Sequence, residues 1–253
     1  MFLEDPLKRA VVVVQSFTLL SGRAIANLFR KPHYWPDVLA QMDIIGFGSL
    51  PIVVLTGFFS GAVLALQMFD TLSTFGATAK TGNMVSFALV LELGPVLTAL
   101  MVAGRNSAGM ASELGSMMVT EQIDAMRALG TDPLKKLVTP RLLASMVMLP
   151  CLTLIADFVG LFGGFVIAYF YIRLSPAQYW ISTYRDLTWS NVAQGLTKPF
   201  VFAFAVALVG CYNGLATRGG TQGVGRSTTQ AVVGASILVF VLDFLITKIF
   251  VRG

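Results

Sequence analysis

Residues 44–69 read IIGFGSLPIVVLTGFFSGAVLALQMF, a run with no charged side chain from end to end. A helix needs about 20 mostly apolar residues, each rising 1.5 Å, to cross the hydrocarbon core of a bilayer. Four more blocks have the same character. The stretch 81–104 carries only Glu92, and 142–172 only Asp157. Residues 199–217 carry no charge, and 227–242 none until Asp243. Gly and Pro within these blocks do not disqualify them, since membrane helices tolerate both. The chain is therefore expected to be an all-α membrane protein with about five spans, at 44–69, 83–104, 140–172, 195–217 and 227–250. No Pro/Ser-rich linker or internal repeat divides it, so residues 1–253 are expected to form one domain.

Composition agrees. Charged residues make up 12% of the 253 positions and hydrophobic ones 55%, against about 25% charged in soluble domains. With the N-terminus placed in the cytoplasm, twelve Lys and Arg fall on the inner side and six on the outer side. That asymmetry predicts N-in and C-out. The net charge of +5 is then a topology signal and a contact with anionic lipid, and it gives no support to nucleic-acid binding.

Residues 7–31 imitate a signal peptide, but the helical wheel argues for another reading. Arg9, Ser16, Arg23, Asn27, Arg30 and Lys31 share one sector, and Val11, Val14, Leu20 and Ile25 lie outside it. This predicts an amphipathic helix lying in the inner leaflet. His33, within His33-Tyr34-Trp35-Pro36, reads as part of an aromatic interfacial anchor rather than a metal ligand. Cys151 and Cys211 fall inside spans as small apolar fillers.

Two inner segments invite a functional reading. Gly220-Thr-Gln-Gly-Val-Gly225-Arg226-Ser227 nearly matches a phosphate-binding loop, but has Arg for Lys and follows a membrane span. It is expected to be a flexible turn, and this chain is not expected to hydrolyse ATP. Residues 119–130 predict a short helix with Thr120 as N-cap, Glu121 and Asp124 in its first turn, Arg127 near its end and Gly130 at its exit. Ile123 and Met126 share a face with Val119. Such a helix outside the lipid packs either on its own chain or on a cytoplasmic partner.

Charges inside the lipid are rare and functional by default. Lys198 and Asp243 fall at compatible depths on antiparallel spans and are expected to pair. Glu92 has no evident partner and stands just before Gly94-Pro95, where the helix must bend because proline cannot donate to the carbonyl four residues back. Asp157 reads as structural. No nucleophile–base pair is present, so an enzyme is not indicated. One functional class left open is a proton- or cation-coupled secondary transporter using Glu92, Asp157 and Asp243.

The densest signal comes from Glu92-Leu-Gly-Pro-Val-Leu-Thr-Ala-Leu100, Ala103-Gly-Arg105, Ser112-Glu-Leu-Gly115, Val119-Thr-Glu-Gln-Ile-Asp-Ala125, Leu129-Gly-Thr-Asp-Pro133 and Pro140-Arg141. These closely resemble the MlaE (YrbE) family of permeases. The resemblance implies an ABC-permease-like fold in the inner membrane. It implies a homodimer that moves phospholipid between inner and outer membrane and so maintains outer-membrane lipid asymmetry. ATP and Mg would sit on a separate cytoplasmic ATPase. An MCE-domain lipid-binding protein and, in many relatives, a STAS-domain protein would be further partners. Carried over by position, Glu121, Gln122, Ile123, Asp124, Met126 and Arg127 resemble the coupling helix. Glu92, Lys198 and Asp243 match polar positions around the family's central cavity. Leu91 stands where some members have Arg, and Asn106 where a second Gly often follows the Arg. For a lipid substrate, Leu64, Leu72 and Phe75, with Leu66 and Met68, offer an apolar lining at the outer end of the first span.

Overall fold

The structure, a computed structural model, describes residues 4–28, 34–185 and 187–252. Its described residues are helical almost throughout: α1 (Glu4–Leu28), α2 (Trp35–Thr74), a 3-10 turn (Thr78–Lys80), α3 (Thr81–Ala88), α4 (Gly94–Val102), α5 (Ala108–Val119), α6 (Gln122–Ala128), α7 (Thr139–Phe170), α8 (Pro176–Arg185), α9 (Trp189–Leu215) and α10 (Gly220–Arg252). Among the described residues, five helical stretches are long and apolar enough to cross a membrane: Trp35–Thr74, Thr78–Val119, Leu134–Phe170, Trp189–Leu215 and Gly220–Phe250. Each overlaps one of the five apolar blocks, and those at 142–172 and 199–217 run two residues past their helices' C-terminal ends. Elsewhere the helices run past the blocks because lipid thickness sets the apolar length, while backbone bonding continues into the headgroup region. Beyond the expected end of the second span at 104, residues 105–119 continue the same helical rod.

That second span is one rod built from three α-helical pieces. π-turns at Leu89–Leu93 and Ala103–Ser107 join α3 to α4 and α4 to α5, and a third at Leu134–Val138 opens α7. In the first of them Gly94 donates to Leu89, one residue further back than in an α-helix. Pro95 has no N–H to offer, so the wider turn falls where the regular ladder is already broken.

The bundle is sewn together where glycine removes the side chain. A Cβ on Gly61 would stand 1.8 Å from the carbonyl oxygen of Gly160, and one on Gly163 would stand 2.2 Å from that of Phe58. Gly57–Gly61 of the first span and Gly160–Gly164 of the third thus meet in a single α2–α7 seam, the close approach that drives association in lipid. On the other side, Ala231, Ala235 and Val239 line the buried stripe of α10, with Ala235 and Val239 against Phe202 and Val206 of α9. The opposite face of α10, with Val233, Ile237, Phe240 and Phe244, is exposed.

At one end, α1 lies across the bundle through Phe17, Leu20 and Ala24, and Phe17 meets Tyr212 edge-on at 5.7 Å. Val11, Val14, Ile25 and Arg23 stay exposed. Arg30, Lys31 and His33 lie outside the described residues. The Gly220–Ser227 run is not a loop. It forms the first turns of α10, and the reversal before it is made at Gly219 and Gly220, with φ of 88° and 67°. No phosphate-cradling loop exists there.

A charged triad and an exposed helix

Three spans converge on Lys198. Its side chain is 0% exposed on α9, and Nζ lies 2.6 Å from Oε2 of Glu92 and 2.8 Å from Oδ1 of Asp243 on α10. The first contact is a hydrogen bond; the second is an ion pair whose alignment falls outside hydrogen-bond geometry. Thr247 donates its hydroxyl to Oε1 of Glu92 at 3.1 Å. The expected Lys198–Asp243 pair is present. The expectation that Glu92 lacks a partner is corrected: the π-turn sets it against the same ammonium. Depth along straight helices suggested the pair, but no wheel survives the inserted turn, so Glu92's azimuth could not be read. Thr247 was legible. It sits one turn beyond Asp243, on the same face.

Exposure is graded across the triad, with Glu92 at 40% and Asp243 at 20%. A buried ammonium holding two carboxylates of unequal access has one closed side and one open side. Behind it, the α7 residue Asp157 is buried with Oδ1 unpaired among the described residues, pressed so close that a Cβ on Gly94 would meet it at 1.7 Å. It therefore packs against the kink and does not join the triad's bonds.

The proposed α2 lining is split. Leu64 and Met68 pack against Ala65, Val85, Leu89 and Leu161 within the bundle, whereas Phe75 stands exposed at the C-terminus of α2. Leu72 is half-buried between them.

The helix at the other end is α6, one residue shorter at its start than the sequence suggests. Thr120 ends α5, its hydroxyl donating to the Ser116 carbonyl at 2.9 Å, and Glu121 makes the turn at φ 58°. Thr120 is not the N-cap, and Val119 belongs to α5. The apolar face also points elsewhere than toward a partner. Ile123 is 0% exposed, clustered with Leu114, Val138 and Leu142, and Met126 packs against the same group. What faces solvent is Glu121, Gln122, Asp124, Arg127 and Leu129, with Arg127 bonded to Asp124 at 2.7 Å. Beneath this surface buried Arg141 of α7 holds Glu113 of α5 at 2.7 Å and donates to the Leu137 carbonyl at 2.8 Å. Sequence reading missed that clamp, because the two residues lie on different helices with no spacing rule between them.

Comparison with known proteins agrees with this architecture. The model of the family described as Permease MlaE matches residues 38–249. A probable ABC transporter permease protein of Rickettsia felis is 44% identical over 94% of this chain and 92% of its own length. The intermembrane phospholipid transport system permease protein MlaE of Haemophilus influenzae is 33% identical, over 91% of this chain and 88% of its own. The chloroplastic TRIGALACTOSYLDIACYLGLYCEROL 1 protein of Arabidopsis thaliana is also 33% identical, over 94% of this chain and 68% of its own.

Proposed function

Because this chain belongs to the MlaE permease family, we propose that it is the membrane subunit of an ABC system moving phospholipid between the inner and outer membranes. ATP and Mg are bound and hydrolysed on a separate cytoplasmic ATPase. The N-terminus is cytoplasmic, and a second copy of the chain covers part of the exposed α10 face. An MCE-domain protein meets the outer side, and a STAS-domain protein completes some assemblies. The observation that carries the reading is Lys198, fully buried between two carboxylates from two other spans. A lipid has one charged end, so its path needs one polar station and otherwise apolar walls.

The mechanism follows from the joints. The ATPase grips the solvent face of α6: Glu121, Gln122, Asp124 and Arg127. Ile123 and Met126 fasten that helix to α5 and α7 from within, so a push on α6 moves the second and third spans together. Further along the second span, Glu92 is tied to the fourth and fifth spans through Lys198 and Asp243. The headgroup meets the open Glu92 side of the triad, and the acyl chains lie along Leu64, Leu72 and Phe75.

The test is lipid transfer between donor and acceptor vesicles by the reconstituted complex, compared with this chain alone. Transfer that requires the ATPase and ATP supports the proposal. Ion-driven uptake by the chain alone would replace it with a coupled carrier built on Glu92, Asp157 and Asp243.

A further inference from the structure

At the end of the bundle opposite α6, the 3-10 turn and α8 enclose a second polar feature, unconnected with the triad. The amphipathic helix α8 is fixed firmly to the bundle. It crosses α3 where Gly82 has no side chain, and a Cβ there would stand 2.5 Å from the Tyr179 carbonyl oxygen. Tyr179 and Thr183 are buried on the crossing face. The Tyr179 hydroxyl donates to the Leu161 carbonyl at 3.1 Å, and Ser86 donates to that of Thr183 at 3.1 Å. The next face of α8 presents Gln178, Ile181, Ser182 and Arg185 at helical spacing. Together with Lys80 and Asn83 these line an open groove of about 610 Å³.

The chemistry of that groove is one-sided. Among the described residues that line it are two cations, one from each wall, and no carboxylate. Neither Lys80 nor Arg185 forms an ion pair with a described residue. The groove continues into a concavity lined by Trp180, Ile181, Tyr184 and Arg185, where Trp180 and Tyr184 stack at 5.7 Å with their planes 15° apart. Trp and Tyr with a polar edge and an apolar body mark the headgroup level of a bilayer. Arg adds planar, two-pronged recognition of a phosphate, and Lys adds a point charge.

We infer that this groove is a binding site for the phosphate headgroup of an anionic phospholipid in the leaflet at the α8 end. Lys80 and Arg185 grip the phosphate from opposite walls, and Ser182 and Gln178 stand within the groove to meet glycerol or ester oxygens. Ile181 and the Trp180–Tyr184 stack receive the first acyl carbons. An acidic protein segment would satisfy the two cations equally well. It would leave the adjoining Trp180–Tyr184 concavity unexplained, and those aromatics decide for lipid.

The experiment uses the full chain, purified in detergent and titrated with phosphatidylglycerol or phosphatidylcholine, with retained lipid counted by native mass spectrometry. The wild type is expected to hold phosphatidylglycerol in preference. The double variant Lys80→Ala/Arg185→Ala should lose that preference at least tenfold, and Arg173→Ala, a cation at the same end outside the groove, should keep it. Both altered positions are exposed, and Lys80→Gln/Arg185→Gln repeats the test should the alanine variant fold poorly. A preference within twofold of wild type in the double variant overturns the proposal. So does an equal loss in Arg173→Ala, which would mean diffuse attraction. Displacement by millimolar inorganic phosphate would make the ligand a free ion, and unchanged lipid retention with loss of a co-purifying acidic protein would make the groove a protein site. Either result also overturns it.

Discussion

Replacing Lys198 with Met removes the one cation that two carboxylates share while keeping the length and apolar stem of the side chain. Breaking a fully buried pair by deleting one partner costs about 3–5 kcal/mol, because a charge is left uncompensated. The lower end applies here, since Glu92 is 40% exposed and water can reach it. For a chain of this size each kcal/mol lowers Tm by roughly 2–4 °C, so Lys198→Met should melt roughly 6–12 °C below wild type. Asp243→Asn, at the less exposed carboxylate, should cost about 1–2 kcal/mol. Glu92→Gln should cost about 1 kcal/mol or less, since an exposed pair contributes little and the amide can still accept from Lys198 and Thr247. The triple variant Glu92→Gln/Lys198→Met/Asp243→Asn removes all three charges and should regain at least half of the Lys198→Met loss. The assay is thermal unfolding of the purified chain in detergent, followed by intrinsic fluorescence. If the triple variant melts no higher than Lys198→Met, or if Glu92→Gln is as harmful as Lys198→Met, the charges do not act as one group.

Two further outcomes follow from the packing. On α6, Leu129→Asp and Arg127→Glu alter solvent-facing side chains and should abolish co-purification of the ATPase with an unchanged melting temperature. Ile123→Asp should instead unfold the end of the bundle, and an ATPase still bound at wild-type stoichiometry to the Leu129→Asp/Arg127→Glu variant would refute the docking face. In the α2–α7 seam, Gly61→Ala must displace a carbonyl 1.8 Å away and should cost about 1–3 kcal/mol by overpacking. Gly109→Ala on α5, where a Cβ meets nothing within 4 Å, should gain up to about 1 kcal/mol from helix propensity; equal melting of the two variants would count against the seam.

The span count was legible because uncharged length is a local property, and each of the five blocks falls, to within two residues at its end, within one long helical stretch. Pairing between helices was legible only where both partners sit on regular α-helix, as Lys198 and Asp243 do. Glu92 escaped because a π-turn is a backbone event with no side-chain pattern of its own beyond the nearby Pro95. The orientation of α6 escaped for a different reason. Ile123 and Met126 defined an apolar face correctly, but a short sequence cannot say whether its own chain or another covers that face. Here Leu114, Val138 and Leu142 do so, and the surface left for a partner is the charged one. Gly57–Gly61 and Gly160–Gly164 lie about a hundred residues apart in sequence, and only the fold shows that they meet.

The π-turns also decide where this chain can change length. Deleting one residue from an ordinary stretch of α-helix rotates everything beyond it by about 100°, since a turn holds 3.6 residues. In the second span that rotation would carry each buried stripe away from its neighbours. A π-turn holds one residue more than the α-helix around it, so a deletion there lets the backbone revert to α geometry with both flanks still in phase. Gly104, inside the Ala103–Ser107 turn and with open space where its side chain would be, is the place to remove one. The deletion of Gly104 should leave a folded protein, and the deletion of Ala99, buried midway along α4, should not. Within this span, tolerance to a missing residue is a property of two turns and of nothing between them.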